Sequence, residues 1–257
     1  MFALDLRGAV ILITGGASGI GAACARAFVA EGATVALLDH DEVAGNALEA
    51  SLGKAAMFVS ADVSDEAATA QAVARAGAWR GHLDALVCCA GVSGPVGTPI
   101  TVMAAEDWMR VLHVNLGGLF NAAKHAIPWL EAGRLRSIVI LASDSSFLAY
   151  PGMAPYSASK GGALMLTRSL AVDHPVLRVN CICPSVVDTP MSRRDLGMTA
   201  TQMQASQFPV IQPTQIANHV LFLTSPVSTP INATSVVVDF GYMARPSFPQ
   251  PEFPQDA

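Results

Sequence analysis

Three side chains near the middle of the chain have the types and spacing needed for proton transfer: Ser143, Tyr156 and Lys160. Tyr156 and Lys160 are one turn apart in a segment predicted to be helical, so their side chains share a face. A free tyrosine titrates near about 10 and is a poor base at neutral pH. A neighbouring ammonium favours the phenolate, which predicts a lowered tyrosine pKa and a general acid/base at Tyr156.

Ser143 ends a predicted strand, at the edge of the sheet where ligands bind in parallel α/β folds. Its hydroxyl is therefore expected to hold the oxygen of the reacting group. A tyrosine and a lysine at helical spacing are more often ordinary surface residues. The pair needs support from the rest of the chain.

A glycine-rich turn follows the first predicted strand and opens the first helix, in the run Thr14-Gly15-Gly16-Ala17-Ser18-Gly19-Ile20-Gly21. A turn of this kind needs residues without Cβ and points backbone N–H groups at a phosphate. The helix N-terminus adds partial positive charge. This context predicts a dinucleotide site that includes Gly15, Ser18, Gly19, Ile20 and Gly21.

Asp39 closes the second predicted strand, about twenty residues after the glycine turn, where a carboxylate accepts hydrogen bonds from the adenosine ribose. Its charge repels the 2′-phosphate of NADP, and no Arg or Lys is adjacent in the sequence. Asp39 therefore favours NAD. The alternative is a solvated turn aspartate, because the run Asp39-His40-Asp41-Glu42 is polar.

Short apolar segments alternate with Ala-rich helical ones, which predicts an α/β fold: a single Rossmann-type, doubly wound parallel sheet of about seven strands flanked by helices. The predicted strands are 10–14, 34–38, 56–59, 83–89, 137–142, 178–183 and 235–239. The predicted helices are 19–31, 43–51, one capped by Ser64, 108–130 and 154–172.

Residues 1–244 are predicted to form one catalytic domain that includes a lid at 186–213, a Met-, Gln- and Pro-rich stretch. The proline-rich tail at 245–257 is expected to be either a frayed end or an arm packed on its own or a neighbouring subunit.

The composition narrows the classes of function for these 257 residues. With 52% hydrophobic and 14% charged residues the chain is not disordered, and a net charge of -5 gives no basic patch for nucleic acid or anionic lipid. Its apolar runs are too short to span a bilayer. The five cysteines fit a reducing compartment, and the first residues lack the order of a secretory signal, so a cytoplasmic location is expected.

Taken together, the motifs resemble those of the short-chain dehydrogenase/reductase family, from Leu6 to about Tyr242. The matching positions are Thr14, Gly15, Gly19 and Gly21 in the turn, Asp62-Val63, Asn115, the set Ser143, Tyr156 and Lys160, then Pro184, Thr189-Pro190-Met191 and the closing strand 236–242.

The resemblance implies an NAD-dependent oxidoreductase acting on a secondary alcohol or ketone. It implies that Asp62 and Val63 contact adenine, that Asn115 anchors a water in a proton relay, and that Val187 and Thr189 contact the nicotinamide carboxamide. It also implies close cofactor approach at Ala90, Gly91 and Pro184. A homotetramer is expected, built through the helices that carry Asn115 and Tyr156 and through the last strand.

The chain departs from the family pattern at three places. Cys88-Cys89-Ala90-Gly91 stands where Asn-Asn-Ala-Gly is usual, which removes side-chain hydrogen bonds beside the sheet. Ser185 and Phe240 replace glycines and are expected to narrow the pocket. None of these changes removes a catalytic group.

The candidate substrate pocket is mostly apolar, which favours a hydrophobic cyclic, aromatic or steroid-like alcohol. Its expected residues are Ser143, Ser145, Met153, Tyr156 and Met191, with Val92, Ser93, Phe147, Met198, Met203 and Phe208 as further candidates. Arg193 and Arg194 leave open a 3-hydroxyacyl or other anionic substrate. A non-catalytic NAD-binding sensor or scaffold is a further alternative.

Overall fold

The computed structural model describes residues 4–244, so the tail at 245–257 lies outside the described residues. Seven parallel strands form one sheet in the order β3-β2-β1-β4-β5-β6-β7. The strands are β1 Val10–Thr14, β2 Thr34–Asp39, β3 Ala56–Ser60, β4 Ala85–Cys88, β5 Ser137–Leu141, β6 Arg178–Pro184 and β7 Ser235–Val238. The helices are α1 Gly19–Ala30, α2 Glu42–Leu52, α3 Glu66–Arg80, α4 Ala105–Leu112, α5 Gly118–Glu131, α6 Ala154–Asp173, α7 Pro190–Leu196, α8 Ala200–Gln204 and α9 Pro213–Thr224.

The sheet is covered on both faces, which confirms the doubly wound α/β prediction. Alternate side chains of β1 enter opposite cores: Val10 and Leu12 pack on the α3, α5 and α6 side, and Ile11 and Ile13 on the α1 and α9 side. Because both faces are buried, each strand is a continuous apolar run rather than an alternating one.

The site is positioned by the reversal of strand order between β1 and β4. The chain runs outward from β1 to β3 and then returns to place β4 on the other side of β1. In open parallel sheets, the crevice for ligands forms at such a switch point, at the carboxyl ends of the strands. The glycine turn follows β1, and Ala90 and Gly91 follow β4.

The prediction of one continuous helix at 108–130 is wrong, because the structure divides this segment into two α-helices and a π-helical turn. Helix α4 ends at Leu112, a π-helical turn covers His113–Gly117, and α5 continues to Glu131. The apolar periodicity continues through the π turn, so the sequence pattern did not reveal it. Such turns often occur at functional sites, and this one contains Asn115.

Two further local predictions need correction. Asp65, rather than Ser64, caps α3, because its side chain accepts from the Ala68 N–H at 3.0 Å, whereas Ser64 donates to Asp62. Helix α9 was not predicted. It begins at Pro213, a residue suited to the first helical turn but also typical of irregular segments. Within residues 4–244, no helix combines the length and hydropathy of a bilayer span.

Candidate active site

A cleft of about 360 Å³ lies at the carboxyl ends of β1, β2 and β4. Most of the residues predicted to hold the dinucleotide line it. They are Gly15, Ser18, Gly19, Ile20, Gly21, Asp39, Asp62, Val63, Ala90, Gly91 and Thr189.

The glycine turn fits a dinucleotide because its backbone packs too closely for side chains. Gly15 has a φ of +63°, and a Cβ there would lie 2.6 Å from the backbone nitrogen of Ala90. A Cβ at Gly21 would collide with the Gly15 carbonyl oxygen. Helix α1 begins at Gly19 with no acidic residue in its first turn, so its N-terminus presents uncompensated N–H groups to an anion.

Asp39 is buried at the edge of this cleft, so the alternative of a solvated turn aspartate is wrong. Its Oδ2 accepts a hydrogen bond from the Ala17 N–H at 3.0 Å, and its Oδ1 accepts from the Asp41 N–H at 3.1 Å. The carboxylate thus fixes the glycine turn and charges the cleft. Arg110 also lines the cleft. Sequence reasoning missed it because α4 is far from Asp39 along the chain.

A second cavity of about 290 Å³ adjoins the cleft and shares Ile20, Cys89, Gly91, Thr189 and Met191 with it. It brings together Ser143, Tyr156 and Lys160 of the predicted catalytic set and part of the predicted substrate pocket. The predicted residues that line it are Ser93, Ser143, Ser145, Met153, Tyr156, Lys160, Pro184, Val187, Thr189 and Met191.

Tyr156 and Lys160 face this cavity from successive turns of α6. The Lys160 Nζ lies 5.6 Å from the centre of the Tyr156 ring and donates to the Leu141 carbonyl at 2.8 Å. Burial lowers the pKa of Lys160 to about 8. The ammonium is therefore held between α6 and the end of β5.

The predicted lowering of the Tyr156 pKa is wrong for the protein without cofactor. Burial raises this pKa to about 12, a hydrogen bond with Ser143 opposes the rise, and the Asp144 and Asp195 carboxylates add to it. Helical spacing indicates the neighbouring ammonium of Lys160, but it does not indicate the desolvation of the phenolate. Desolvation disfavours the charged form and so raises the pKa.

Asn115 is buried beneath the two cavities and is fully hydrogen bonded. Its Oδ1 accepts from the Val92 N–H at 2.8 Å, and its Nδ2 donates to the Val92 carbonyl and to Ser159 Oγ, both at 2.9 Å. Ser159 Oγ in turn donates to the Tyr156 carbonyl at 2.7 Å. Asn115 therefore connects the loop after β4 to the helix that carries Tyr156.

Several predicted pocket residues do not line the substrate cavity. Met203, in α8, is fully buried, whereas Phe147 and Phe208 are exposed. Met198 lies outside the cavity, and Val92 lines the first cleft instead. Met198, Met203 and Phe208 lie in or beside helices α7 and α8, which composition alone did not predict.

Sequence reasoning also missed residues that do line the cavity, among them Asp144, Tyr150 and Asp195. Ser143 Oγ donates to Asp144 Oδ1 at 2.9 Å, and the Tyr150 hydroxyl donates to Asp144 Oδ2 at 2.9 Å. Asp144 is adjacent to a predicted catalytic residue, which was the available signal. No motif lies beside Asp195 in the sequence, and its place in the cavity depends on how α7 packs.

Comparison with known proteins agrees with this architecture. A family model described as enoyl-(acyl carrier protein) reductase matches residues 15–243. Borneol dehydrogenase, mitochondrial, of Lavandula x intermedia is 37% identical over 92% of this chain and 91% of its own length. Cis-4-hydroxycyclohexanecarboxylate dehydrogenase of Sinomonas cyclohexanicum is 34% identical over 91% of this chain and 96% of its own length.

A solved structure extends the likeness to three dimensions. The 3-ketoacyl-(acyl-carrier-protein) reductase from Brucella melitensis, complexed with NADH, superposes with a TM-score of 0.84. It is 29% identical and covers 92% of this chain and 99% of its own. The chain belongs to the short-chain dehydrogenase/reductase family. It is an oxidoreductase of that family, with the family's nicotinamide-cofactor fold.

Proposed function

We propose that the protein is an NAD-dependent dehydrogenase and ketone reductase that acts on a hydrophobic, cyclic secondary alcohol. The observation that carries the proposal is that Ser143, Tyr156 and Lys160 face one cavity, which opens onto the glycine-turn cleft. A substrate in the cavity would meet both the acid/base and the cofactor. A protein that only binds a nucleotide would not need these three groups together.

In the oxidative direction, the Tyr156 phenolate accepts the proton of the substrate hydroxyl. The Ser143 hydroxyl donates to Asp144 in this structure and would turn from it to donate a hydrogen bond to the substrate oxygen. When bound, the nicotinamide ring supplies or accepts the hydride. Lys160 favours the phenolate electrostatically once its ammonium is charged, and Asn115 holds the loop and helix that bring these groups together.

The cofactor would lie along the first cleft, with its pyrophosphate at the turn formed by Gly15, Ser18, Gly19, Ile20 and Gly21. Asp62 and Val63 would hold adenine. Ala90, Gly91, Pro184, Val187 and Thr189, together with Tyr156 and Lys160, would hold the nicotinamide end.

Asp39 supports NAD over NADP as the cofactor. Its buried carboxylate would repel a 2′-phosphate and accept hydrogen bonds from ribose hydroxyls. Arg110 lines the same cleft, but its side chain projects from an exposed position on α4. An exposed guanidinium is screened by solvent and compensates a buried carboxylate poorly.

The cavity supports an uncharged substrate over an anionic one. Arg193 forms an ion pair with Asp188 at 2.6 Å, and the Arg194 side chain is 69% exposed. Neither arginine lines the cavity. Met153, Met191 and Leu196 supply apolar surface. Both relatives named above are dehydrogenases of cyclic alcohols by name, and the borneol dehydrogenase supports an uncharged one, whereas the relative from Sinomonas cyclohexanicum is named for a cyclic alcohol that carries a carboxylate.

We also propose a homotetramer in the cytoplasm, with 186–213 acting as a lid over the cavity. Exposed apolar side chains on α4, α5 and α6, namely Met109, Phe120, Met165 and Val172, support subunit contacts there. The last strand adds exposed Val237. All five cysteines are free, which fits a reducing compartment.

The test is a steady-state assay of NAD reduction with cyclohexanol, borneol and a linear secondary alcohol that has as many carbon atoms as cyclohexanol. The assay is repeated with NADP. Turnover of the cyclic alcohols with NAD would support the proposal. Absence of turnover with every alcohol, in protein that binds NADH, would overturn it.

A further inference from the structure

We propose that the cavity selects an alcohol with a second hydrogen-bond donor, a hydroxyl or amine distant from the reacting carbon, and rejects carboxylates. The Asp195 carboxylate receives this donor. The inference rests on the proposed dehydrogenase function and adds a substrate class to it.

The side chains that line the cavity carry more negative than positive charge. Asp144 and Asp195 both line it. Lys160 is the one positively charged side chain among the described residues that line it, and its Nζ donates one of its three N–H groups to the Leu141 carbonyl. A carboxylate in this cavity would face two like charges against one opposite charge, which is unfavourable where solvent is largely excluded.

The two aspartates differ in the hydrogen bonds that their carboxylates already accept. Asp144 is buried, and both of its oxygens already accept hydrogen bonds, one from Ser143 and one from Tyr150. Each oxygen thus has a strong partner from the protein, and the carboxylate is buried between them. Asp144 therefore serves to hold Ser143 and Tyr150.

Asp195 is different, because one of its oxygens has only a weak partner. Its Oδ2 accepts a hydrogen bond from Ser93 Oγ, which connects α7 to the loop after β4. Its Oδ1 has a long 3.4 Å contact with the largely exposed Arg194. A partly buried carboxylate with spare acceptor capacity gains a charge-assisted hydrogen bond from a hydroxyl or ammonium.

Asp195 lines the same cavity as Tyr156, the proposed acid/base. Asp195 is close enough to Tyr156 to contribute to the raised pKa of that tyrosine. The two groups come from different elements, α7 and α6, and line the same cavity. One small molecule could therefore place its reacting oxygen at Tyr156 and its second donor at Asp195.

The test uses four cyclohexanols that differ only at carbon 4: methyl, hydroxyl, amino and carboxylate. For the native protein we expect kcat/KM for the hydroxyl and amino compounds to exceed that for the carboxylate by roughly 10- to 100-fold. The variant Asp195→Asn should lose most of the preference for the amino compound and should accept the carboxylate about tenfold better.

Asp173→Asn is the matched control, because it removes one acid from the exposed end of α6, outside the cavity. It should leave the order of the four substrates unchanged. A native preference for the carboxylate, or equal rates for all four, would overturn the inference while leaving the dehydrogenase function established. If none of the four turns over, the proposed function fails first. Native kinetics alone decide the matter if Asp195→Asn does not fold.

Discussion

The side-chain amide of Asn115 makes both backbone hydrogen bonds of Val92, to its N–H at 2.8 Å and to its carbonyl at 2.9 Å. The amide pairs with Val92 as the backbone of a neighbouring β-strand would. Asn115 lies in the π-helical turn at His113–Gly117. This turn therefore supplies the side chain that holds the loop after β4, which lines the cofactor cleft at Val92.

Replacing Asn115 by Ala tests this relationship. The change leaves two partly buried backbone groups of Val92 without their side-chain partner, so we expect the free energy of unfolding to fall by about 1–3 kcal/mol. Turnover should fall as well. Urea denaturation checks the first effect, with Asn46→Ala on exposed α2 as the control. Equal stability of both variants would contradict the role given to Asn115.

The cofactor preference is tested by Asp39→Asn. The amide oxygen can still accept one hydrogen bond from the glycine turn, so the fold should survive, but the charge facing the ribose is removed. We expect the ratio of kcat/KM for NAD to that for NADP to fall by roughly 10- to 100-fold. An unchanged ratio would show that Asp39 does not set the preference.

The pH dependence is tested through Asp195. Asp144 and Asp195 oppose ionisation of Tyr156, the Ser143 hydroxyl favours it, and Lys160 is the neighbouring cation. Because oxidation needs the phenolate, its kcat/KM should rise with pH. Asp195→Asn removes one opposing charge, lowers the tyrosine pKa, and should move the rising limb to lower pH by roughly half a unit to one unit.

The same control, Asp173→Asn, should leave that limb in place. A shift of the Asp195→Asn profile to higher pH, or no shift with normal folding, would contradict the electrostatic contact between α7 and Tyr156. The profiles should be measured with saturating cofactor at constant ionic strength, since surface charges are screened by salt.

The glycine turn is tested by Gly15→Ala. The added Cβ would lie 2.6 Å from the Ala90 nitrogen, at a φ of +63°. We expect a loss of about 1–3 kcal/mol in stability and weaker NADH binding. Gly161→Ala is the matched control, because its Cβ would meet open space in α6. Helix propensity predicts a neutral or slightly stabilising effect there. Comparable losses in both variants would contradict the close packing.

Much of the fold and of the cofactor cleft could be predicted from the sequence, because each of these features depends on a short local pattern. Buried strands are continuous apolar runs, and the turn from Gly15 to Gly21 carries its own geometric requirement. The pocket could not be predicted to the same depth. Asp195 lines the cavity from α7, whereas Met203 of α8 is buried elsewhere, and no local sequence pattern distinguishes the two positions.

The sign of the Tyr156 pKa shift was missed for a similar reason. Lys160 could be identified as a neighbour from helical spacing alone. The burial that raises the pKa of Tyr156 arises only when the chain folds around its side chain. The π-helical turn at Asn115 was missed because it preserves the apolar face of the helix.

The most direct test of the central claim is to compare native protein and Tyr156→Phe in two measurements, hydride transfer from a cyclic alcohol to NAD and binding of NADH by fluorescence. Removing one hydroxyl should lower kcat by at least about 100-fold, because proton transfer loses its acceptor, while the dissociation constant for NADH changes by less than about threefold. That result would establish Tyr156 as the acid/base. Turnover retained at the native rate would contradict it.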